Sequence, residues 1–347
     1  MSNLQIGLAI AGGVLLAGVV AHSAWTSRKN APRQAQPDTN AGSAYAGEGT
    51  EPILVSSTFD AERFPLPVVA RRPVMDSLID VIATIALDPP NTAVSGDAAL
   101  AAMPSTRRAG SKPFAIEGYN LALQVWETPV AGQRYGGFQA GVQLANRSGA
   151  LNEIEYSEFV VKTQAFADAI NATPEFPEMM EEVARARELD LFAGAHDAQL
   201  GFTIRARNAS WSPGYLQQNA ARLGFVAGAI PGRMVMPAST DGLPPVLVLT
   251  FDSQAALADD PTQTAIREVA LHLDVAQVDR AERAFVRMRE AAMGLAQAMD
   301  GVVTDDNGQA LVPATMDVIG SELEGLYDTL EQRDLAAGSP LARRLFS

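Results

Sequence analysis

The sequence predicts an α+β protein held at a membrane: one N-terminal transmembrane helix, a disordered linker, then two folded regions in which strands alternate with helices. Three observations predict it. An apolar run without Asp, Glu, Lys or Arg occupies residues 4–25. A stretch of Pro, Gly, Ser and Ala follows, at 26–75, with almost no helical or strand period. Beyond it, period-2 strand patterns are interleaved with apolar stripes of helical period.

The run LQIGLAIAGGVLLAGVVAHSAW is long enough, at about 1.5 Å per residue, to cross a hydrocarbon core of roughly 30 Å. Trp25 stands where an interfacial aromatic would, and Arg28, Lys29 and Arg33 follow it. No Lys or Arg precedes the run, so the basic side stays cytoplasmic and the N-terminus faces out. A cleaved secretory signal would carry its basic residues on the other side. The chain has 347 residues, 47% of them hydrophobic and 19% charged, enough for one or two cores. A net charge of −14 argues against nucleic-acid binding, which needs a basic surface. The absence of cysteine excludes disulfides and thiolate metal sites.

The first folded region is expected at 76–194. Segments 78–87, 113–120 and 138–146 read as strands. Helices follow at 155–170, with Phe159, Thr163, Phe166 and Ile170 on one face, and at 178–192, separated by Pro174 and Pro177. The second region is expected at 199–331. Leu200, Phe202 and Ile204 alternate with Gly201, Thr203 and Arg205 on a half-buried strand. Ser212-Pro213-Gly214 opens a helix carrying Leu216, Ala220 and Leu223, which Gly224 stops. Strands are expected at 233–236 and 246–251, then at 268–275, where Leu271, Leu273 and Val275 share one face. The clearest stripe in the chain is Ala281, Phe285, Met288, Ala292, Leu295 and Met299. A hairpin at 302–312 turns on Asp305-Asp306-Asn307-Gly308, for which Asn-Gly favours a type I′ turn. A last helix carries Met316, Ile319, Leu323, Leu326 and Leu330, and the tail 336–347 reads as frayed. Phe159 and Phe285 open similar segments at similar places in the two regions. This fits a tandem duplication; the alternative is two unrelated α+β pieces.

Little in the chain carries chemistry. His22, His196 and His272 have no metal-ligand spacing. Asp305-Asp306-Asn307-Gly308 lacks the alternating ligands and distal Glu of a calcium loop. No Walker loop or Gly-x-Ser-x-Gly elbow is present. No catalytic residue, metal, cofactor or small-molecule substrate is expected. The residues alone read as a membrane-tethered binding module.

Three segments carry a resemblance. LAIAGGVLLAGVVAHSAWTSRKN resembles the anchor of the ZipA family of bacterial cell-division proteins, where a span also ends in a histidine, an aromatic and Thr-Ser-Arg-Lys. Residues 279–299, leading into Asp300-Gly301-Val302-Val303-Thr304-Asp305-Asp306, resemble that family's penultimate helix and its Gly-Val-Val-x-Asp-Asp hairpin. Leu223-Gly224-Phe225-Val226-Ala227-Gly228 resembles its Ala-Gly-Phe-Ile-Phe-Gly. The matches cover about residues 4–30 and 199–331.

The resemblance implies a split βαβ fold, an antiparallel sheet with helices packed on one face. It implies a single-pass inner-membrane protein that tethers the FtsZ ring by gripping FtsZ's C-terminal tail on the helix-free face. The residues implied there are Gly201, Thr203, Arg205, Ile230, Arg233, Val248, Thr250, Ala270, His272 and Asp274. A one-residue slip in the third strand would substitute Leu249 and Phe251 for Val248 and Thr250. Three departures stand out. His272 replaces a phenylalanine, Gly201 and Thr203 replace larger apolar groups, and the linker is short. The resemblance does not reach 76–194, and the competing function is a membrane-anchored enzyme or envelope-assembly factor with a cleft there.

Overall fold

A computed structural model describes residues 32–34, 75–89, 92–258 and 264–347. The expected anchor at 4–25 and nearly all of the expected linker lie outside these residues. Among the described residues, no helix is long and apolar enough to cross a membrane. The chain is α+β, and its sheets are antiparallel. It divides into two compact units. One runs from the first described residues of the 76–194 region to His196 and includes Arg344–Ser347. The other holds 32–34 and Asp197–Arg343.

The first unit contains β1 (Asp80–Leu87), β2 (Lys112–Asn120), β3 (Arg134–Gln143), α1 (Glu153–Ala169), β4 (Ala172–Glu175) and α2 (Met179–His196). Its sheet runs β2-β3-β1-β4, with Arg108–Ala109 and Val125–Glu127 pairing with β2. Period-2 alternation decides the core face: Val81, Ala83, Ile85 and Leu87 are buried, while Thr84 and Ala86 are exposed. Phe114 and Phe138 meet Phe159 and Phe166 of α1 edge-on, at 6.1 and 5.3 Å between centroids. Asn152 and Glu155 close a capping box that fixes where α1 begins. The expected stripe of α1 is buried throughout. α2, expected to end at 192, continues to His196, whose ring stacks on Phe192 at 4.3 Å and hydrogen-bonds the Phe192 carbonyl at 2.7 Å.

The second unit contains β5 (Gln199–Ala206), α3 (Pro213–Arg222), β6 (Arg233–Met236), β7 (Leu247–Thr250), β8 (Glu268–Asp274), α4 (Ala284–Met299), β9 (Gly301–Thr304) and α5 (Pro313–Gln332); α6 (Pro340–Leu345) begins in this unit, and its last two residues are counted with the first. Val226–Ala227 forms the sheet edge, and the order inward is β6-β7-β8-β5-β9. Phe202, Ile204, Leu247, Leu249, Val269, Leu271 and Leu273 are buried, as are Met288, Ala292, Leu295 and Met299 of α4. Trp211, fully buried, donates from Nε1 to the Met299 carbonyl at 2.7 Å and ties α4 to the strand side of the core. Gly224, at φ +89°, follows α3 as expected.

The two units share a connectivity. In each, the first strand lies between the strand that precedes a long helix and the strand that follows it: β1 between β3 and β4, β5 between β8 and β9. Phe159 and Phe285 occupy α1 and α4, the equivalent helices.

Several expectations need correction. Ala281 is not on the long helix: it sits exposed in the short turn Arg280–Glu282, and Arg283 at φ +50° separates that turn from α4. On α5, Ile319 and Leu326 are half-buried, and Tyr327 joins Met316, Leu323 and Leu330 in the core. The 305–308 turn is not type I′, which needs two positive φ angles; among its residues only Gly308 has one, at +79°. The Gly308 N–H bonds the Asp305 carbonyl and the Asp305 N–H bonds the Gln309 carbonyl, so a tight turn is followed by a left-handed glycine. The tail is not frayed: it forms α6 and buries Ala342, Leu345 and Phe346. Residues 32–34, expected in the linker, pair with the second unit. The Arg33 N–H reaches the Ser210 carbonyl at 2.7 Å, its carbonyl accepts from Ser212, and its guanidinium meets Asp300 at 3.0 Å.

Candidate helix-free groove

The face of the second sheet opposite the buried strand residues is built by alternation and register. Since Leu271 and Leu273 turn inward, Ala270, His272 and Asp274 turn the other way. Register then sets their neighbours. His272 stands between Gly201 and Val248, and Ala270 between Thr203 and Thr250. Arg233 pairs with Thr250, and Val235 with Val248. Leu247 and Leu249 are fully buried, and Val248 and Thr250 are half-buried, which selects the register read from the sequence over the one-residue slip.

A groove of about 580 Å³ runs over this face. Of the predicted residues it gathers Gly201, Arg233, Val248, Thr250, His272 and Asp274. Thr203, Arg205 and Ala270 share the face but lie beyond the groove's lining, where Arg205 faces Glu268 across the strand pair at 3.6 Å. Ile230 also lies outside the lining, in the turn before β6 that Gly232 makes at φ +76°, and it is 57% exposed.

The floor is chemically mixed. His272 Nε2 shares a hydrogen bond with Thr250 Oγ1 at 3.2 Å, which orients the ring across β7. The Arg233 Nε is buried and has no hydrogen-bond partner among the described residues. Gly201 provides depth. A Cβ there would stand 3.2 Å from Asp306 Oδ1, so the glycine lets the 305–308 turn lean over the groove's end.

Sequence reasoning missed Gln199, Pro245 and Asp306 of the lining. Asp306 had no signal, because its position depends on the actual geometry of the turn.

A second cleft, about 560 Å³, opens between α4 and α5 over Phe285, Met316, Leu323 and Tyr327. Its rim is largely paired: Arg280 binds Glu324, Asp328 and Glu331, and Arg289 binds Asp317. Burial, reinforced by Glu324, pushes the Tyr327 hydroxyl up to about 12. In the first unit, the buried ionisable groups are engaged in the fold. The Lys112 amine donates to Asn146 Oδ1 at 2.8 Å and to the Gly149 carbonyl at 2.5 Å, while burial pushes its pKa down. Glu127 accepts from Asn120 and Tyr135 at 2.7 and 2.9 Å. Among the described residues, no three His, Asp or Glu side chains are grouped to hold a metal.

Comparison with protein families gives one result that bears on this face. The model of the ZipA C-terminal FtsZ-binding domain matches residues 252–322. The chain is ZipA-like over that stretch, which includes β8 with His272, all of α4, β9 and the 305–308 turn. The match bears out the family resemblance read from the sequence. No curated protein matches the chain.

Proposed function

We propose that this chain is a cell-division scaffold that tethers FtsZ to the bacterial inner membrane, and that the groove beside His272 receives FtsZ's C-terminal tail. The observation that carries the proposal is the coincidence of groove and family match: β8, which forms the groove's centre, lies inside the segment similar to an FtsZ-binding domain. A helical or extended tail would lay an apolar side chain on Val248 and offer an oxygen to Arg233. The polar floor makes this a groove that reads hydrogen bonds as well as apolar shape.

The 4–25 run supplies the anchor in this reading, with the N-terminus periplasmic and both folded units cytoplasmic. Arg33, paired with the second unit, stands eight residues after Trp25. At most about 28 Å of extended chain then separates the membrane from the groove-bearing unit. The reading also takes the first unit as a divergent copy of the second, on the strength of their common connectivity.

The test is recruitment. Full-length protein in vesicles of phosphatidylethanolamine and phosphatidylglycerol should draw fluorescent FtsZ to the vesicle surface, and FtsZ lacking its C-terminal tail should stay in solution. Equal recruitment of both forms would remove the tail from the mechanism; recruitment of neither would remove the tether.

A further inference from the structure

The first unit carries a surface that the FtsZ reading leaves unused. β2 and Val125–Glu127 form a hairpin whose tip, at 121–124, is Leu121-Ala122-Leu123-Gln124. Leu121, Leu123 and Val125 are 47%, 56% and 42% exposed. Large apolar side chains rarely gather at a water-facing tip without a partner.

Two features say what kind of partner fits. The first is the backbone. The Leu121 N–H bonds the Arg134 carbonyl at 3.0 Å, and the Gln124 N–H bonds the Asn120 carbonyl at 2.8 Å. The N–H groups of Ala122 and Leu123 both bond Asn120 Oδ1, at 2.9 and 3.0 Å. All four donors of the tip are therefore satisfied from within, by a buried asparagine and a neighbouring strand. A loop entering lipid needs this, because no water is there to pair its N–H groups. A protein partner joining the hairpin through backbone pairing would need free donors at the tip.

The second feature is the order of side chains along the hairpin. No charged residue lies between Glu117 and Glu127, and both of those carboxylates are buried. Tyr119 and Trp126 face each other at the base of the tip, 5.4 Å between centroids, both half-buried. Arg134, exposed, stands on the adjoining strand level with Leu121, whose N–H its carbonyl accepts. An uncharged apolar tip backed by Tyr and Trp matches the passage from acyl chains into the headgroup region.

We propose that the 121–125 hairpin tip inserts into the lipid bilayer, with Tyr119 and Trp126 at headgroup level, so that the first unit lies on the membrane surface. The proposal rests on the anchor reading in one respect: a tethered chain keeps the tip near lipid at high effective concentration.

The chain has no cysteine, so one introduced thiol gives one labelled site. Full-length Leu123→Cys and Leu191→Cys, each carrying a nitrobenzoxadiazole dye, are reconstituted into anionic vesicles with and without doxyl-labelled acyl chains. Leu191 is 75% exposed on α2 and serves as the reference for a label in water. The dye at residue 123 should shift to the blue and be quenched by the doxyl lipid several-fold more than the dye at 191. Water-like emission at 123 overturns the proposal. A blue shift without doxyl quenching also overturns it, and points to a second copy or another protein over the tip. Flotation of the same vesicles reports the anchor separately. Protein that floats without quenching at 123 leaves the tether standing and removes the insertion; protein that neither floats nor quenches removes both.

Discussion

Arg344→Ala should cost the first unit far more than the loss of a surface ion pair. Nη1 and Nη2 of Arg344 meet the two carboxylate oxygens of Asp80 at 2.9 and 2.5 Å. Asp80 is only 2% exposed. Burial pushes its carboxyl above the ordinary range, although the Arg344 guanidinium pulls the other way. Removing the arginine leaves a buried carboxylate with the Asp76 N–H, at 2.8 Å, among its remaining donors. Breaking such a pair from one side costs about 3–5 kcal/mol, against at most about 1 kcal/mol for an exposed pair. Asp80→Asn in the same background removes the buried charge and should recover most of the loss. The pH dependence has a defined sign. A carboxyl whose folded pKa is raised contributes stability that is fully present below its ordinary value of 3.8 and is lost as pH rises through the folded value. Without Arg344 the folded value rises further, so the deficit is largest at neutral pH and narrows on acidification. Hydrogen exchange at the amides of β1 and β3 in the full chain, at pH 7 and pH 5, reads the first unit alone. A loss below about 1 kcal/mol at pH 7, or no recovery in the double variant, would refute the reasoning.

Other outcomes follow from the second unit. Leu295 is fully buried on α4, so Leu295→Ala should lower stability by about 2–5 kcal/mol in urea unfolding followed at Trp211; an unchanged midpoint would mean that the α4 stripe is not packed. His272→Phe should tighten binding of the FtsZ tail several-fold by calorimetry, because the ring keeps its place on the groove floor and loses a polar atom that resists desolvation. Weaker binding would instead assign the imidazole, held by Thr250, a hydrogen-bonding part in recognition.

What was legible in the sequence was whatever depends on alternation and stripes. β8 could be read because Leu271 and Leu273 need the core, and His272 then has one face left to take. The β7 register stayed open between two choices in the sequence, and the burial of Leu247 and Leu249 selects one of them. α1 and α4 announced themselves by stripes ending in Ile170 and Met299. What depends on a single backbone angle was not legible. Arg283 at φ +50° cuts Ala281 from α4, and the turn ending in Gly308 at φ +79° carries Asp306 over Gly201. Long-range burial was hidden too. Leu345 and Phe346 look like a loose end until their buried environment is seen, and Lys112 is unremarkable in sequence although its amine is fully enclosed. Ile230 was placed by family likeness at the second strand, and the Pro231-Gly232 turn sets it just ahead of β6.

The central claim is that the helix-free groove receives the FtsZ tail, and Gly201 offers the most direct access to it. A side chain at this position projects toward Asp306 at the groove's end, so Gly201→Leu fills the space while leaving the buried face of β5 intact. The measurement is calorimetric titration of the FtsZ C-terminal tail peptide into the full chain, wild type and Gly201→Leu, alongside their unfolding midpoints. The account predicts saturable binding to the wild type, at least about tenfold weaker binding to the variant, which is about 1.4 kcal/mol, and midpoints that agree. Equal affinities in two folded proteins, or no binding to the wild type, would contradict it.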